Sequence, residues 1–415
     1  MTAAHLATIF GLIGMFICAT ALPINMGALG LAAAFIVGSL FVDMTPVQIL
    51  SGFPGDLFVT LVGITYLFAI AESNGTVDLL VHYGVKATGK RTAVIPWVMF
   101  FVGALLTSIG AVSPGAVAIL APVAMRFAYQ HRINPMLMGL MVVHGCQGGG
   151  FSPISIYGGI TNQVMERAGL ETHGATLFLA SLGFNLAIAV VISFIFRSKP
   201  GTNSAHATSE MATHADAAKL TPQRALTLAA LLALAVGALA FNLNVGFVAI
   251  TAAVALAIAF PAAQKGAVDK AAWSTVLLIC GVITYISVLQ KAGTIEWIGN
   301  GAAHMGSPLL AVLLLCYVAG IVSAFASSVG VLGATIPLAV PLLALGDLNA
   351  VGVIAAIAVA ATIVDASPFS TNGALVLVNI KPNQREAMFK QLLFYGGVIT
   401  LFGPLFAWLF LVLPS

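Results

Sequence analysis

Charge is what this sequence has least of. Asp, Glu, Lys and Arg make up only 7% of its 415 residues, against roughly 25% in a soluble domain, so the fold cannot be wrapped in a water-facing surface. Paired cysteines are missing too. Cys18, Cys146, Cys280 and Cys316 stand singly inside apolar stretches, which excludes a disulfide framework and a zinc site and leaves buried thiols. No HExxH, GxSxG or paired-cysteine pattern is present, so no enzyme chemistry is expected. Gly84-Val-Lys-Ala-Thr-Gly89-Lys90 mimics a phosphate-binding loop. Arg91 stands where Ser or Thr would bind magnesium, and no strand pattern precedes the loop. The net charge of +3 is small and scattered, which excludes nucleic acid as a partner.

What fills the chain instead is 60% hydrophobic residues, in runs of the roughly 17–25 residues that a helix needs to cross the hydrocarbon core. The runs lack the dyad alternation of an outer-membrane barrel. Apolar segments fall near 5–21, 26–42, 56–72, 92–128, 135–167 and 173–197, then near 224–241, 245–261, 272–290, 307–345, 350–380 and 390–413. Residues 5–21 carry no basic leader, so a retained first span is expected rather than a signal peptide. The polar, turn-prone stretch 198–223 cannot form a core and reads as a linker. The expected domains are residues 1–197, a first membrane repeat, and 224–415, a second.

The halves resemble one another. GITYLFAIAESNGTVDLL around Thr65-Tyr66 matches GVITYISVLQKAGTIEWI around Thr284-Tyr285; Ser108-Ile-Gly110 pairs with Ser328-Val-Gly330; Ser152-Pro-Ile-Ser155 pairs with Ser367-Pro-Phe-Ser370. The segments 92–128 and 307–345 are too long for one span and are broken by Ser, Gly and Pro. Basic residues flank the first on both sides, Lys86, Lys90 and Arg91 before it and Arg126 and Arg132 after it, so it enters and leaves on one face. Each half then holds five crossings and one re-entrant hairpin, and the odd number inverts the second half relative to the first. This topology gathers fourteen of the sixteen basic residues, all but Arg167 and Lys291, on one face. By the positive-inside rule that face, with the linker, is cytoplasmic. The expected fold is an all-α polytopic inner-membrane protein of two inverted repeats, with broken helices at the midplane.

Broken helices survive in a membrane only where protein or a water-filled cavity satisfies the freed backbone. Four breaks are expected, at 108–115, 148–162, 327–333 and 365–372. Half-helix N-termini there carry about half a positive charge, suited to a carboxylate. The candidate substrate ligands are Ser108, Ser113, Ser152, Ser155, Asn162, Ser328, Ser367, Ser370, Thr371 and Asn372. Neither Lys nor Arg lies at any break, so the anion's charge is expected to be offset by a coupling cation or proton. Asp365, the one acid at a break, is the leading candidate for that role, with Ser327, Gly148 and His144 beside it. No resident cofactor is expected.

This layout resembles the ion transporter superfamily, and within it the divalent-anion:sodium symporters and malonate/dicarboxylate carriers of the MatC type. The resemblance covers nearly the whole chain. It implies a small dicarboxylate substrate, an elevator mechanism and a homodimeric scaffold. It also implies sodium near the hairpin tips, here Ser108, Gly110, Ser328 and Gly330, although Ser-Ile-Gly and Ser-Val-Gly replace the symporters' Ser-Asn-Thr. A sodium/proton antiporter and a passive channel or membrane interaction subunit are the alternative functions.

Overall fold

The computed structural model describes residues 2–86, 92–167, 169–196, 219–241, 243–303, 307–324, 328–343 and 348–414. Ser327 and most of the 198–223 linker lie outside them. The described residues of the first half form α1 (Ala3–Ala21), α2 (Met26–Phe41), α3 (Gly55–Ser73), α4 (Thr76–Lys86), α5 (Ile95–Ser108), α6 (Ser113–Gln130), α7 (Pro135–Gly149), α8 (Ile156–Arg167) and α9 (Gly174–Ile195). Those of the second form α10 (Pro222–Ala240), α11 (Val245–Ala259), α12 (Trp273–Lys291), α13 (Thr294–Ala303), α14 (Pro308–Ser323), α15 (Ser328–Leu343), α16 (Ala350–Ile363), α17 (Thr371–Val378) and α18 (Pro382–Leu411). A few helices of three to six residues lie between them.

Helix length alone does not separate crossings from half-spans, since α11 crosses with 15 residues and α6, an arm of the first hairpin, has 18. The packing of α5 back against α6 does: the chain turns at 109–112, where Gly110 has φ +113°, a conformation that L side chains avoid. α7 and α8, of 15 and 12 residues, likewise form one crossing broken in the middle. Each half thus has five crossings, one hairpin, and a helix that the apolar pattern missed: α4 and α13 are amphipathic arms following the positive-φ Gly75 and Gly293. The chain is a multi-pass membrane protein.

The helix boundaries correct the internal alignment. α5 and α14 end at Ser108 and Ser323, and α6 and α15 begin at Ser113 and Ser328, each pair 215 positions apart. The starts of α7 and α16, and of α8 and α17, keep that spacing. Ser108 therefore corresponds to Ser323 rather than Ser328, and Ser113 corresponds to Ser328. Likewise Gly63 and Gly75 match Gly281 and Gly293, which shifts the Thr-Tyr landmark by one residue.

The repeats are locked by exchange. α2 packs on α12 and α11 on α3, through Gly27 against Gly281 and Gly63 against Gly246. A Cβ on Gly281 would stand 2.0 Å from Gly27 O, and one on Gly63 would stand 2.5 Å from Gly246 O. Small residues let helix backbones approach in lipid, where the hydrophobic effect gives little drive. Gly281→Val is therefore expected to lower the melting temperature and the yield of the detergent-purified protein. A melting curve that coincides with wild type would show that the crossing tolerates a side chain. Around this scaffold of α1–α3 and α10–α12, the hairpins, broken helices, α9 and α18 pack mainly on one another as a second body, with one apolar core running through both.

Candidate substrate and cation site

The two broken helices share one local design, Ser-Pro-x-Ser-x-x-Gly, at 152–158 and 367–373. Pro ends regular helix hydrogen bonding, and the second Ser restarts it. Ser370 Oγ accepts from Gly373 N at 3.3 Å and donates to Ser367 O at 2.7 Å; Ser155 Oγ accepts from Gly158 N at 3.3 Å and donates to Ser152 O at 2.6 Å. Gly is required at the last position because an added Cβ would lie 1.9 Å from Ser367 O in one copy and 2.0 Å from Ser152 O in the other. Ser367 Oγ also donates to Ala324 O at 3.0 Å, and Ser108 Oγ to Gly149 O at 3.3 Å. Each hairpin is thereby tied to its own broken helix.

The repeats part company two residues before that motif and at its sixth position. Asp365 and Asn372 of the second correspond to Gly150 and Tyr157 of the first, again 215 apart. Asp365, buried at 4% exposure, accepts from Asn372 Nδ2 at 3.0 Å and, more distantly, from Asn372 N at 3.4 Å. The Ser328 and Ser370 hydroxyls also face it, and Ser323 Oγ donates to Ser328 Oγ at 2.9 Å. Asn372 Nδ2 donates as well to Ser113 Oγ at 2.9 Å, and Ser113 pairs with the Tyr157 hydroxyl. One buried polar chain therefore joins both hairpins to both broken helices around a single carboxylate. Asn372 Oδ1 is buried with no partner, so an acceptor oxygen remains open beside it. Carboxylate and amide oxygens form a donor set for a hard cation or a proton. Among the described residues no cluster of His, Cys, Asp and Glu could hold a transition metal.

A cavity of about 430 Å³ adjoins this chain. Thr371, Gly110, Pro114 and Gly115 come from the second body; Thr65, Glu72, Ser274, Thr275 and Lys270 come from the scaffold. Val112, the residue before α6, offers no side-chain cap, so the N-terminus of α6 meets the cavity uncapped, as an anion site requires. Lys270 was not found from the sequence, because no break contains it, and Glu72, near the end of its span, reads there as a solvated acid. Lys270 belongs to a surface helix (Ala267–Lys270) that folds back, and its Nζ donates to Ser73 Oγ at 3.2 Å. The only available sign was that it lies just before α12, which carries the Ser and Thr of the cavity wall.

Of the other expected residues, Ser113, Ser328, Ser370, Thr371 and Asn372 converge with Asp365. Ser108, Ser152, Ser155 and Ser367 hold the loop shapes around them. Gly330 packs against Met26 and Leu278 of the scaffold, and Gly148 against Leu182 and Asn185 of α9. Asn162 lies near Gly174, two turns along α8 from its break. His144 sits between helices: Nδ1 is 2.8 Å from Asn185 Oδ1 and Nε2 is 2.5 Å from the Tyr395 hydroxyl. Asn185 Nδ2 donates to Ser181 O at 3.0 Å, so Asn185 Oδ1 accepts from a protonated Nδ1 and Nε2 accepts from Tyr395. A neutral ring satisfies every partner, and it ties α7 and α9 to α18.

Residues 1–150 match the family model for the N-terminus of the dicarboxylate carrier protein MatC. Residues 242–412 match the model for the citrate transporter family. No curated protein matches the chain. The solved crystal structure of the YdaH transporter of Alcanivorax borkumensis, described as having an unusual topology, shares the fold, with a TM-score of 0.61 and 15% identity over 98% of each chain. Carboxylate-transporter models thus match both halves, on a fold shared with a solved transporter.

Proposed function

We propose that this secondary transporter moves a small carboxylate, malonate or a four-carbon dicarboxylate, across the inner membrane in exchange of conformations driven by sodium or protons. The observation that carries this reading is the Asp365–Asn372–Ser113 chain, directly behind a cavity that meets an uncapped helix end. The anion's carboxylate lodges against the α6 N-terminus and the Thr371 hydroxyl. Free backbone N–H groups and the partial positive charge of the helix offset its charge. The coupling cation or proton sits on Asp365, one residue layer deeper, and is stabilised by the anion in front of it. Each therefore raises the affinity for the other, a reciprocity that coupling requires.

The second body then slides against the α1–α3/α10–α12 scaffold, which the resemblance makes dimeric. Lys270 and Glu72 stay behind with the scaffold on the basic, cytoplasmic face. Lys270 faces the anion only while the cavity is open, and it steers by charge. Lys270→Gln is expected to raise the KM for substrate presented on that face by about threefold to tenfold at low salt, with the difference fading at high salt. Initial rates in inside-out vesicles at two ionic strengths measure this. An unchanged KM at low salt would remove Lys270 from the site.

The reading as a whole is tested by a thermal-shift screen of purified protein with mono-, di- and tricarboxylates, each in sodium or choline. Stabilisation by one dicarboxylate that requires sodium identifies substrate and coupling ion together. Stabilisation without sodium identifies proton coupling. No shift with any carboxylate counts against a carboxylate site and in favour of the sodium/proton antiporter.

A further inference from the structure

We propose that Asp56 and Arg167 form a one-sided latch, which holds the face opposite the basic loops closed and biases the transporter toward the conformation seen here. The inference rests on the alternating-access reading above, but it is tested without substrate.

Inverted repeats make two contacts equivalent: α8 with α3, and α17 with α12. In this structure they are in opposite states. α8 is docked on α3. Arg167 is ion-paired to Asp56, and one turn deeper Gln163 Nε2 donates to Thr60 Oγ1 at 3.1 Å. Positions 163 and 167 on α8, and 56 and 60 on α3, are each four apart, so the two helices meet as two matched rungs. Asp56 opens α3 and Arg167 closes α8; each charge sits at the helix end that favours it. On the other side the cavity lies between α17 and α12, lined by Thr371 from the one and Ser274, Thr275 and Leu278 from the other. The second hairpin closes the latch side, where Gly330 meets Leu278 and Met26 and Gly333 approaches Val282 and Ile283.

Repeat symmetry shows what the other conformation would hold. Positions 163 and 167 correspond to Val378 and Pro382, and positions 56 and 60 to Ser274 and Leu278. With α17 docked on α12 these offer one apolar contact and no ion pair. The latch therefore exists in one state only, and a contact present in one state shifts the balance by its own strength. α8 also carries three buried side-chain oxygens with no partner, Thr161 Oγ1, Asn162 Oδ1 and Gln163 Oε1. Such groups are costly when left dry, and opening of this face lets water reach them.

The test uses single reporter cysteines in a background lacking the four native ones. Gly159→Cys lies in the α8–α3 contact, where a Cβ meets only Thr60 Cγ2 at 3.7 Å; Thr275→Cys lines the cavity. Each is labelled in membranes by a hydrophilic maleimide, without substrate. With the latch intact, Thr275→Cys labels quickly and Gly159→Cys slowly. Arg167→Gln is expected to raise the Gly159→Cys rate and lower the Thr275→Cys rate, so that their ratio moves by about threefold, the size expected of a half-exposed ion pair. The exchanged pair Asp56→Lys with Arg167→Glu is expected to restore both rates. Unchanged rates in Arg167→Gln would overturn the latch. So would a rise at both reporters that the exchanged pair does not reverse, which would mean loosening. A thermal shift with no carboxylate, beside a reciprocal change in labelling, would sink the substrate reading and leave the latch standing.

Discussion

Asp365→Asn is expected to cut gradient-driven uptake at least a hundredfold while the protein still inserts and purifies. The side chains are nearly the same size, so packing is preserved. What changes is the charge: an amide has no negative charge to offset a cation and no transferable proton, and its NH2 group would meet the Nδ2 of Asn372, which now donates to the carboxylate at 3.0 Å. A hundredfold loss corresponds to about 2.7 kcal/mol, within the roughly 1.5–3 kcal/mol of a hydrogen bond to a charged group. Ionisable groups placed at such depth are expensive to keep, and the first repeat dispenses with one, having Gly150 at the equivalent position. The variant's uptake is measured against external sodium and pH. If both dependences match wild type, Asp365 is only a cap for the first turn of α17.

Gly373→Ala is expected to abolish transport, with Gly158→Ala close behind. The added methyl would sit 1.9 Å from Ser367 O in the first case and 2.0 Å from Ser152 O in the second, and a backbone carbonyl cannot swing aside as a side-chain tip can. The half-helix must shift. With α17 go Thr371 at the cavity and Asn372 at the carboxylate, although neither residue has been altered. Overpacking of this kind costs about 1–3 kcal/mol in a packed core, so a lower melting temperature is expected as well. Gly397→Ala, where nothing lies within 4 Å, is the matched control and should transport normally. Wild-type uptake by Gly373→Ala would mean that the loop geometry is not what holds the site.

Much of this was legible in the sequence for physical reasons. Scarce charge, long apolar runs and basic residues gathered on one face follow directly from the cost of polar groups in lipid. The broken helices declared themselves through Ser152-Pro153 and Ser367-Pro368, and Asp365 stood out because an acid there has few bland explanations. The register of the hairpins did not come through. Ser-x-Gly occurs at 108–110, at 113–115 and at 328–330, and the sequence reading pairs the first with the third; the helix ends instead pair Ser113-Pro-Gly115 with Ser328-Val-Gly330, a register that Pro122 and Pro337 share. The arms α4 and α13 were missed because an amphipathic helix breaks up an apolar run. Lys270 and Glu72 belong to loop and helix end in sequence, and only tertiary packing of α3 beside α12 brings them to the cavity. His144 looked like a proton carrier by its residue type; its two hydrogen-bond partners come from α9 and α18, which no local pattern reveals.

The most direct test is uptake of a radiolabelled dicarboxylate into proteoliposomes under an imposed sodium gradient, an imposed proton gradient, or neither. The account predicts saturable accumulation above equilibrium that follows one of the two gradients and collapses when an ionophore dissipates it. Entry that never saturates and is indifferent to both gradients would contradict it, and would make the chain a passive pathway rather than a coupled transporter.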